Sequence, residues 1–300
     1  MVIKNRSKTC LIISASIIAI AVLLSIFGHG INLGIDFAGG LSIQYDLKKE
    51  ANQSEIESVL DGMNVGDYTV TIQGSGDEEV NIRIKDAKDD DADQIEMDFK
   101  QGILKNYPEA TLISKNYVGP VAGAALVRNA IISVLIASAL MLIYIAIRFD
   151  LTSGISAVIG LVHDVLIMLS FMVIFRSVIQ MNSSFIAAAL TIVGYSINNT
   201  IVIFDRIREN ARKMPTAKKE EITNISIKES LGRTILTTVT TLITIVLLCI
   251  LGVASIREFA LPIIVGILAG MYSANLINGY IWAWLEERGF PHRKGKAKKA

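Results

Sequence analysis

The sequence predicts an α-helical polytopic membrane protein, with six transmembrane helices and one small α+β domain inserted between the first and the second. Three observations carry this reading. The 300 residues are 52% hydrophobic and 19% charged, whereas soluble domains are about a quarter charged. The apolar residues gather in runs of about 18 or more, enough to cross a hydrocarbon core roughly 30 Å thick at about 1.5 Å per residue. The charge is also segregated: residues 28–125 hold 18 acidic against 8 basic residues, a net −10, so in a chain of net +1 the remainder carries +11.

The expected spans are 10–27, 126–147, 151–175, 184–204, 235–254 and 259–285. Inside lipid only helices of this kind satisfy the backbone within one segment. Lys and Arg set the orientation. Eighteen of them precede span one, lie between spans two and three or four and five, or follow span six, and the opposite loops hold only Arg176 and Arg257, with Arg128 at the outer end of span two. The positive-inside bias places both termini in the cytoplasm and residues 29–123 outside. Gly28-His29-Gly30 after the first run offers no small-x-small cleavage pattern, so span one is read as retained. Cys10 and Cys249 fall at different membrane depths and are not expected to pair.

The acidic segment has its own periodicities. Residues 41–47 alternate like a strand. Residues 54–63 read as a helix opened by a Ser54/Glu57 capping box. Two further strands, 68–73 and 80–85, are joined by the turn Gly74-Ser75-Gly76-Asp77, then come a helix at 92–106 and a strand at 110–117. The order β-α-β-β-α-β is the ferredoxin-like arrangement. Asp89-Asp90-Asp91 reads as a solvated helix start rather than a cation site. The chain thus divides into 1–28 (N-terminus and span one), 29–123 (external domain), 124–204 (spans two to four), 205–233 (an amphipathic loop expected to lie on the membrane surface), 234–286 (spans five and six) and 287–300 (a basic tail suited to anionic lipid).

Polar residues at membrane depth are expensive and point to function. Span three carries His163-Asp164 near its midpoint, either an ion or proton site or a hydrogen bond that fixes packing. Span four carries Asn198 and Asn199; adjacent amides lie about 100° apart on a helix, so at least one meets another helix. In span five Arg233, Thr237, Thr241 and Thr244 share one face, which suggests a polar seam inside the bundle, although an arginine at the membrane edge can also snorkel. Span six has Gly266 and Gly270 at close-packing spacing, followed by Ser273, Asn275 and Asn278. No Walker loop, GxSxG or HExxH is present, so the chain is not expected to be an enzyme or to hold a cofactor or metal, and nothing points to nucleic acid.

Several motifs resemble the SecD/SecF family of bacterial protein-export subunits. Gly34-Ile35-Asp36-Phe37-Ala38-Gly39-Gly40 is similar to its GIDFxGG signature. Val118-Gly119-Pro120, His163-Asp164-Val165, Gly194-Tyr195-Ser196-Ile197-Asn198, the run from Phe204-Asp205-Arg206 to Asn210, and Arg233-Thr234 resemble the SecF branch. The resemblance implies a half of an RND-like fold in the bacterial plasma membrane. It implies SecD as partner, SecYEG and the YajC/YidC group alongside, an unfolded preprotein as substrate and a proton or sodium ion as coupling species. It also implies that the residue matching Asn199 is usually an aspartate, which with the arginine matching Arg233 forms part of an ion path. Here an amide stands instead, leaving three explanations: a carboxylate from SecD, a takeover by Asp164, or weakened coupling. Two competing readings are a purely structural stabiliser of SecD and SecYEG, and half of a small-molecule exporter, against which a single small domain and 300 residues argue.

Overall fold

The computed structural model describes residues 3–289 apart from 74, 75, 77, 86, 177, 178 and 253. The turn expected at 74–77 lies mostly outside the described residues, and the basic tail from Phe290 onward lies wholly outside them. In chain order the elements are α1 (Ile3–Ile26), the short α2 (Ile35–Ala38), β1 (Gly40–Asp46), α3 (Gln53–Met63), β2 (Tyr68–Gln73), β3 (Glu79–Ile84), α4 (Ala92–Ile103) and β4 (Thr111–Val118). They continue with α5 (Pro120–Arg148), α6 (Leu151–Ile174), α7 (Ser183–Lys213), α8 (Lys219–Leu251), α9 (Ala254–Ser273), a π-helical turn at Ala274–Asn278, and α10 (Gly279–Glu287).

Among the described residues six helical segments are long and apolar enough to cross a membrane: α1, α5, α6, α7, α8, and α9 with its continuation into α10. The centre of the bundle is α6, α7 and α9–α10, while α1, α5 and α8 present most of their apolar side chains outward. A helix of 33 residues such as α8 is about 50 Å long, well beyond the membrane's apolar core. Residues 205–232 therefore form no separate surface helix. Asp205–Lys213 prolongs α7 and Lys219 opens α8, so the two make a helical hairpin beyond the bundle, joined by residues 214–218. Arg206 fastens it, donating from Nε to Glu229 (2.7 Å) and from Nη1 to Glu209 (2.6 Å), and Asn210 donates to Ser226 (3.0 Å) and Glu229 (2.7 Å). Asp205 is exposed beside them.

The inserted domain is a four-stranded antiparallel sheet of order β2-β3-β1-β4, as the ferredoxin-like arrangement requires. Alternation along the strands sorts the two faces. Leu41, Ile43 and Tyr45 of β1 with Val80, Ile82 and Ile84 of β3 are fully buried against Ile56 and Leu60 of α3 and Phe99 and Ile103 of α4. The opposite face carries Ser42, Gln44, Asn81, Arg83, Ser114 and Asn116 and looks toward the bundle. Helix α3 starts one residue earlier than expected, because the side chain of Asn52, not Ser54, accepts from the Ser54 amide (3.1 Å) and so serves as N-cap. Asp89–Asp91 forms an exposed 3₁₀ turn leading into α4.

The glycine motif turns the chain out of α2 and into the central strand. Gly39 and Gly40 have φ +80° and +114°, and a Cβ on Gly40 would sit 2.4 Å from the carbonyl oxygen of Ile84. Only glycine fits both demands. Gly40→Ala should therefore destabilise the protein by more than about 1 kcal/mol. Gly62→Ala, in the exposed last turn of α3 with open space around it, should stabilise by up to about 1 kcal/mol. Thermal unfolding of the two purified variants checks this, and shifts of the same sign would contradict it.

Candidate functional site

At the middle of α6 the carboxylate of Asp164 is 0% exposed. Its Oδ1 lies 2.8 Å from His163 Nδ1, and its Oδ2 accepts from Ser196 of α7 and from Ser273 at the end of α9 (2.9 Å). His163 Nε2 is 2.8 Å from the Ser14 hydroxyl of α1 and 3.1 Å from the Tyr272 hydroxyl, and those two hydroxyls are 2.9 Å apart. The Tyr272 and His163 rings meet edge-on at 5.4 Å. With the carboxylate ionised, Nδ1 of the imidazole carries a proton toward it and Nε2 accepts one from Ser14 or Tyr272. Four helices thus close around one acid–imidazole pair, and every link in the chain of hydrogen bonds is able to carry or reorient a proton.

The sequence makes this convergence possible with small residues. A Cβ on Gly266 would sit 2.4 Å from Ile192, and one on Gly270 would sit 3.3 Å from Ser196 Cβ and 3.4 Å from Asp164 Oδ2, so the paired glycines let α9 press on α7. A Cβ on Gly160 would fall 2.1 Å from the Asn278 side chain, so α6 is equally close to the π-helical turn. Such turns are recurrent at functional sites. This one buries both Asn275 and Asn278.

One turn along α7 from Ser196 lies a second polar layer. Asn199 is 1% exposed and its Nδ2 has no acceptor among the described residues. Asn278 donates to Thr200 (2.8 Å), but its own Oδ1 has no donor. Thr234 reaches Asn275 (3.4 Å), and Tyr195 donates to Thr238 (3.3 Å). Asn198, by contrast, points outward. Of the adjacent amides it is Asn199 that faces the interior.

Span five departs from expectation. Arg233, Thr237 and Thr244 are exposed, with Thr241 half-buried, and the inward face of α8 is Thr234 and Thr238. Periodicity places Arg233, Thr237, Thr241 and Thr244 on one stripe but does not say which stripe meets α7 and α9. The outward threonines satisfy themselves locally, Thr237 donating to the Arg233 carbonyl (2.9 Å) and Thr241 to that of Thr237 (3.0 Å). Among the described residues no hydrogen bond or ion pair joins Arg233 to Asn199 or to any carboxylate.

The glycine motif forms a second polar assembly where the domain meets the bundle. Gly34 donates to Met181 O (2.8 Å), Met181 donates to Asn32 O (2.8 Å), and Asp36 Oδ2 accepts from the Ser183 amide (2.7 Å) at the first turn of α7. A carboxylate at a helix N-terminus satisfies a free N–H and meets the positive end of the helix dipole. Sequence reading missed Ser14, Tyr272 and Arg83 as partners. Ser14, a hydroxyl within an apolar span, was the one available signal.

Comparisons with known proteins agree with this architecture. The family described as "Protein export membrane protein SecD/SecF, C-terminal" matches residues 99–288, and the "SecD/SecF GG Motif" matches residues 24–51. The protein translocase subunit SecF of Calditerrivibrio nitroreducens is 38% identical over 275 residues, 90% of this chain and 89% of that one. That of Rickettsia bellii is 40% identical over 253 residues, 83% of this chain and 82% of that one. The crystal structure of SecDF, a translocon-associated membrane protein from Thermus thermophilus, superposes with a TM-score of 0.82 at 30% identity; it covers 95% of this chain, which spans 38% of that longer one. A SecDF structure in a super-membrane-facing form gives a TM-score of 0.66. With the glycine motif at the mouth of the sheet, six spanning helices and matches across nearly its whole length, the chain belongs to the SecD/SecF family of protein-export membrane proteins.

Proposed function

We propose that this chain is the SecF-type subunit of a bacterial preprotein translocase. Paired with a SecD-type chain in the plasma membrane, it uses the transmembrane ion gradient to promote late steps of export, and it does so as a transport subunit, without catalysing a reaction. The family membership and the names of its relatives support the translocase role. The Lys and Arg distribution supports an orientation with both termini cytoplasmic and the sheet domain outside. SecYEG, and the YajC/YidC group beside it, are the expected neighbours of the pair.

The observation that carries the ion-driven part is Asp164. A carboxylate at the centre of a spanning helix costs about 2.5–3.5 kcal/mol on insertion scales, and here it is held by side chains from α6, α7 and α9. One elementary charge crossing 100 mV is worth about 2.3 kcal/mol, comparable to the charge-assisted hydrogen bonds that a change of charge at Asp164 would remake. In this reading Asp164 with His163 takes the role that a carboxylate at position 199 has elsewhere in the family, and Asn199 is a buried amide without it.

Export into inverted vesicles carrying this chain, a SecD-type partner and SecYEG tests the reading. Stimulation by a proton or sodium gradient should fall at least about fivefold in Asp164→Asn while the complex remains assembled, and Asn199→Asp should leave it nearly unchanged. Full stimulation in Asp164→Asn, or stimulation that emerges only in Asn199→Asp, moves the coupling away from Asp164.

A second observation concerns Arg233. Its outward stripe on α8 is the kind of surface that a partner chain would complete, with the acid supplied from that side. Arg233→Met should then weaken co-purification with the SecD-type partner, or export, at normal protein levels. Unchanged assembly and unchanged export together would reduce Arg233 to a residue that reaches for the membrane edge.

A further inference from the structure

The polar face of the sheet does not stand free of the bundle. Arg83, at the middle of that face and 7% exposed, donates from Nη1 to the Leu33 carbonyl (2.9 Å) and from Nη2 to Asn32 Oδ1 (3.3 Å), while its Nε has no acceptor. Burial pulls its guanidinium down to about 10, a shift opposed by the nearby Glu258 carboxylate at the start of α9. Asn32 in turn donates to the Arg176 carbonyl (3.0 Å), and Gln180 donates to Thr71 of β2 (3.2 Å). A polar cavity of about 390 Å³ separates the remaining surfaces, lined by Asn81, Arg83 and Asn116 from the sheet and by Gln180, Asn182 and Glu258 from the bundle.

The bundle side of this junction is the start of two particular helices. Asn182 caps α7, its side chain accepting from the Ser184 amide (3.0 Å), and its Nδ2 donates to Glu258 of α9. Asp36 holds the neighbouring Ser183 amide (2.7 Å). Helices α7 and α9 are also the ones that bring Ser196 and Ser273 to Asp164. Ser196 lies 13 residues beyond Ser183 and Ser273 lies 15 beyond Glu258, or about 20 Å down each helix. Packed helices move as units by shifts of about 1–2 Å, and hydrogen bonds of 2.7–3.2 Å do not survive a displacement of about 1 Å.

We infer that this junction is a latch: docking of the sheet through Arg83, Asn32 and Gln180 sets the placement of α7 and α9 around Asp164, so that the external domain and the buried cluster each bias the other. This deepens the ion-coupling reading and rests on it for its purpose, but the contact chain stands by itself. Coupling between two sites is reciprocal. A change at Asp164 must therefore loosen or tighten the docking as surely as a change at Arg83 disturbs the cluster.

The reciprocal direction is the sharper test, because a passive structural contact predicts nothing there. In a Cys10→Ser, Cys249→Ser background, the cysteine of Ser42→Cys replaces a side chain that lines the junction from the sheet, is 8% exposed and is not one of the three latch contacts. Its alkylation by a membrane-impermeant maleimide, in the full chain with its partner in proteoliposomes, reports undocking. Arg83→Gln should accelerate labelling. Asp164→Asn, and the milder Ser273→Ala in case the first folds poorly, should change the rate by at least about fivefold, the lower end of ordinary allosteric coupling. If Arg83→Gln accelerates labelling but neither cluster variant changes it, the domain docks passively and the inference is overturned. If Arg83→Gln changes nothing, Arg83 does not hold the junction and the latch fails at its first step. A gradient response lost in Asp164→Asn with labelling unchanged overturns the latch alone. Labelling shifted in cluster variants of a chain that never responds to a gradient removes the ion reading and keeps the latch.

Discussion

The bundle is organised around the carboxylate of Asp164, which has no contact with solvent in this chain and accepts hydrogen bonds from three directions. A buried carboxylate deprived of a partner costs roughly 3–5 kcal/mol, so the helices that supply its partners are tied in their relative depth and rotation. Gly270 packs close against Ser196 and Asp164, and Gly160 admits Asn278 on the adjoining surface. His163 extends the same network outward to Ser14, which fixes α1 against α6 although most of α1 faces away from the bundle. One costly group therefore accounts for the rotation of α6, the small residues of α9 and the docking of the first helix.

What was legible in the sequence is what depends on local length and period. Six spans follow from runs that lipid can hold only as helices, and the strand order of the domain follows from alternation interrupted by two helical periods. Asp164 was legible because a charge at that depth must have a reason. The inward face of α8 was not, because the stripe through Arg233 and the one through Thr234 and Thr238 are both polar and only tertiary packing separates them. The helical hairpin beyond the bundle was hidden for a related reason. Mixed charge reads the same on a membrane surface as along two helices joined by Arg206 to Glu229. Asn52 displaced Ser54 as a cap because the amide lies one residue ahead of the first helical turn, where its oxygen meets the Ser54 N–H. The partnership of Arg83 with Asn32 spans 51 residues and crosses from sheet to linker, which no local pattern encodes.

The two polar layers of the bundle are not equivalent. Around Asp164 every polar atom named has a counterpart. One turn away, Asn199 Nδ2 and Asn278 Oδ1 are both buried and both without one. Native interiors rarely leave such groups unpaired, and those that persist mark strain or function. At Asn199 the described surroundings offer the amide N–H no acceptor. The amide is thus incompletely paired, whereas the Asp164 carboxylate has a partner on each oxygen. That contrast favours Asp164 over position 199 as the charge-bearing centre of this chain.

The glycine motif then acquires a mechanical reading as well as a conformational one. Gly39 and Gly40 aim the central strand, but Asp36, three residues upstream of Gly39, holds the Ser183 amide in the first turn of α7. The same seven residues therefore set both the entry into the sheet and the start of the helix that carries Ser196. A motif whose only duty was to turn the chain would need its glycines but not its aspartate, since any residue tolerates the backbone of α2 at that position. An aspartate there ties the rotation of α7 to the seat of the domain, and α7 in turn touches Asp164. In the latch we infer, a change of charge at Asp164 is passed to the junction along these helices, without any long flexible connection.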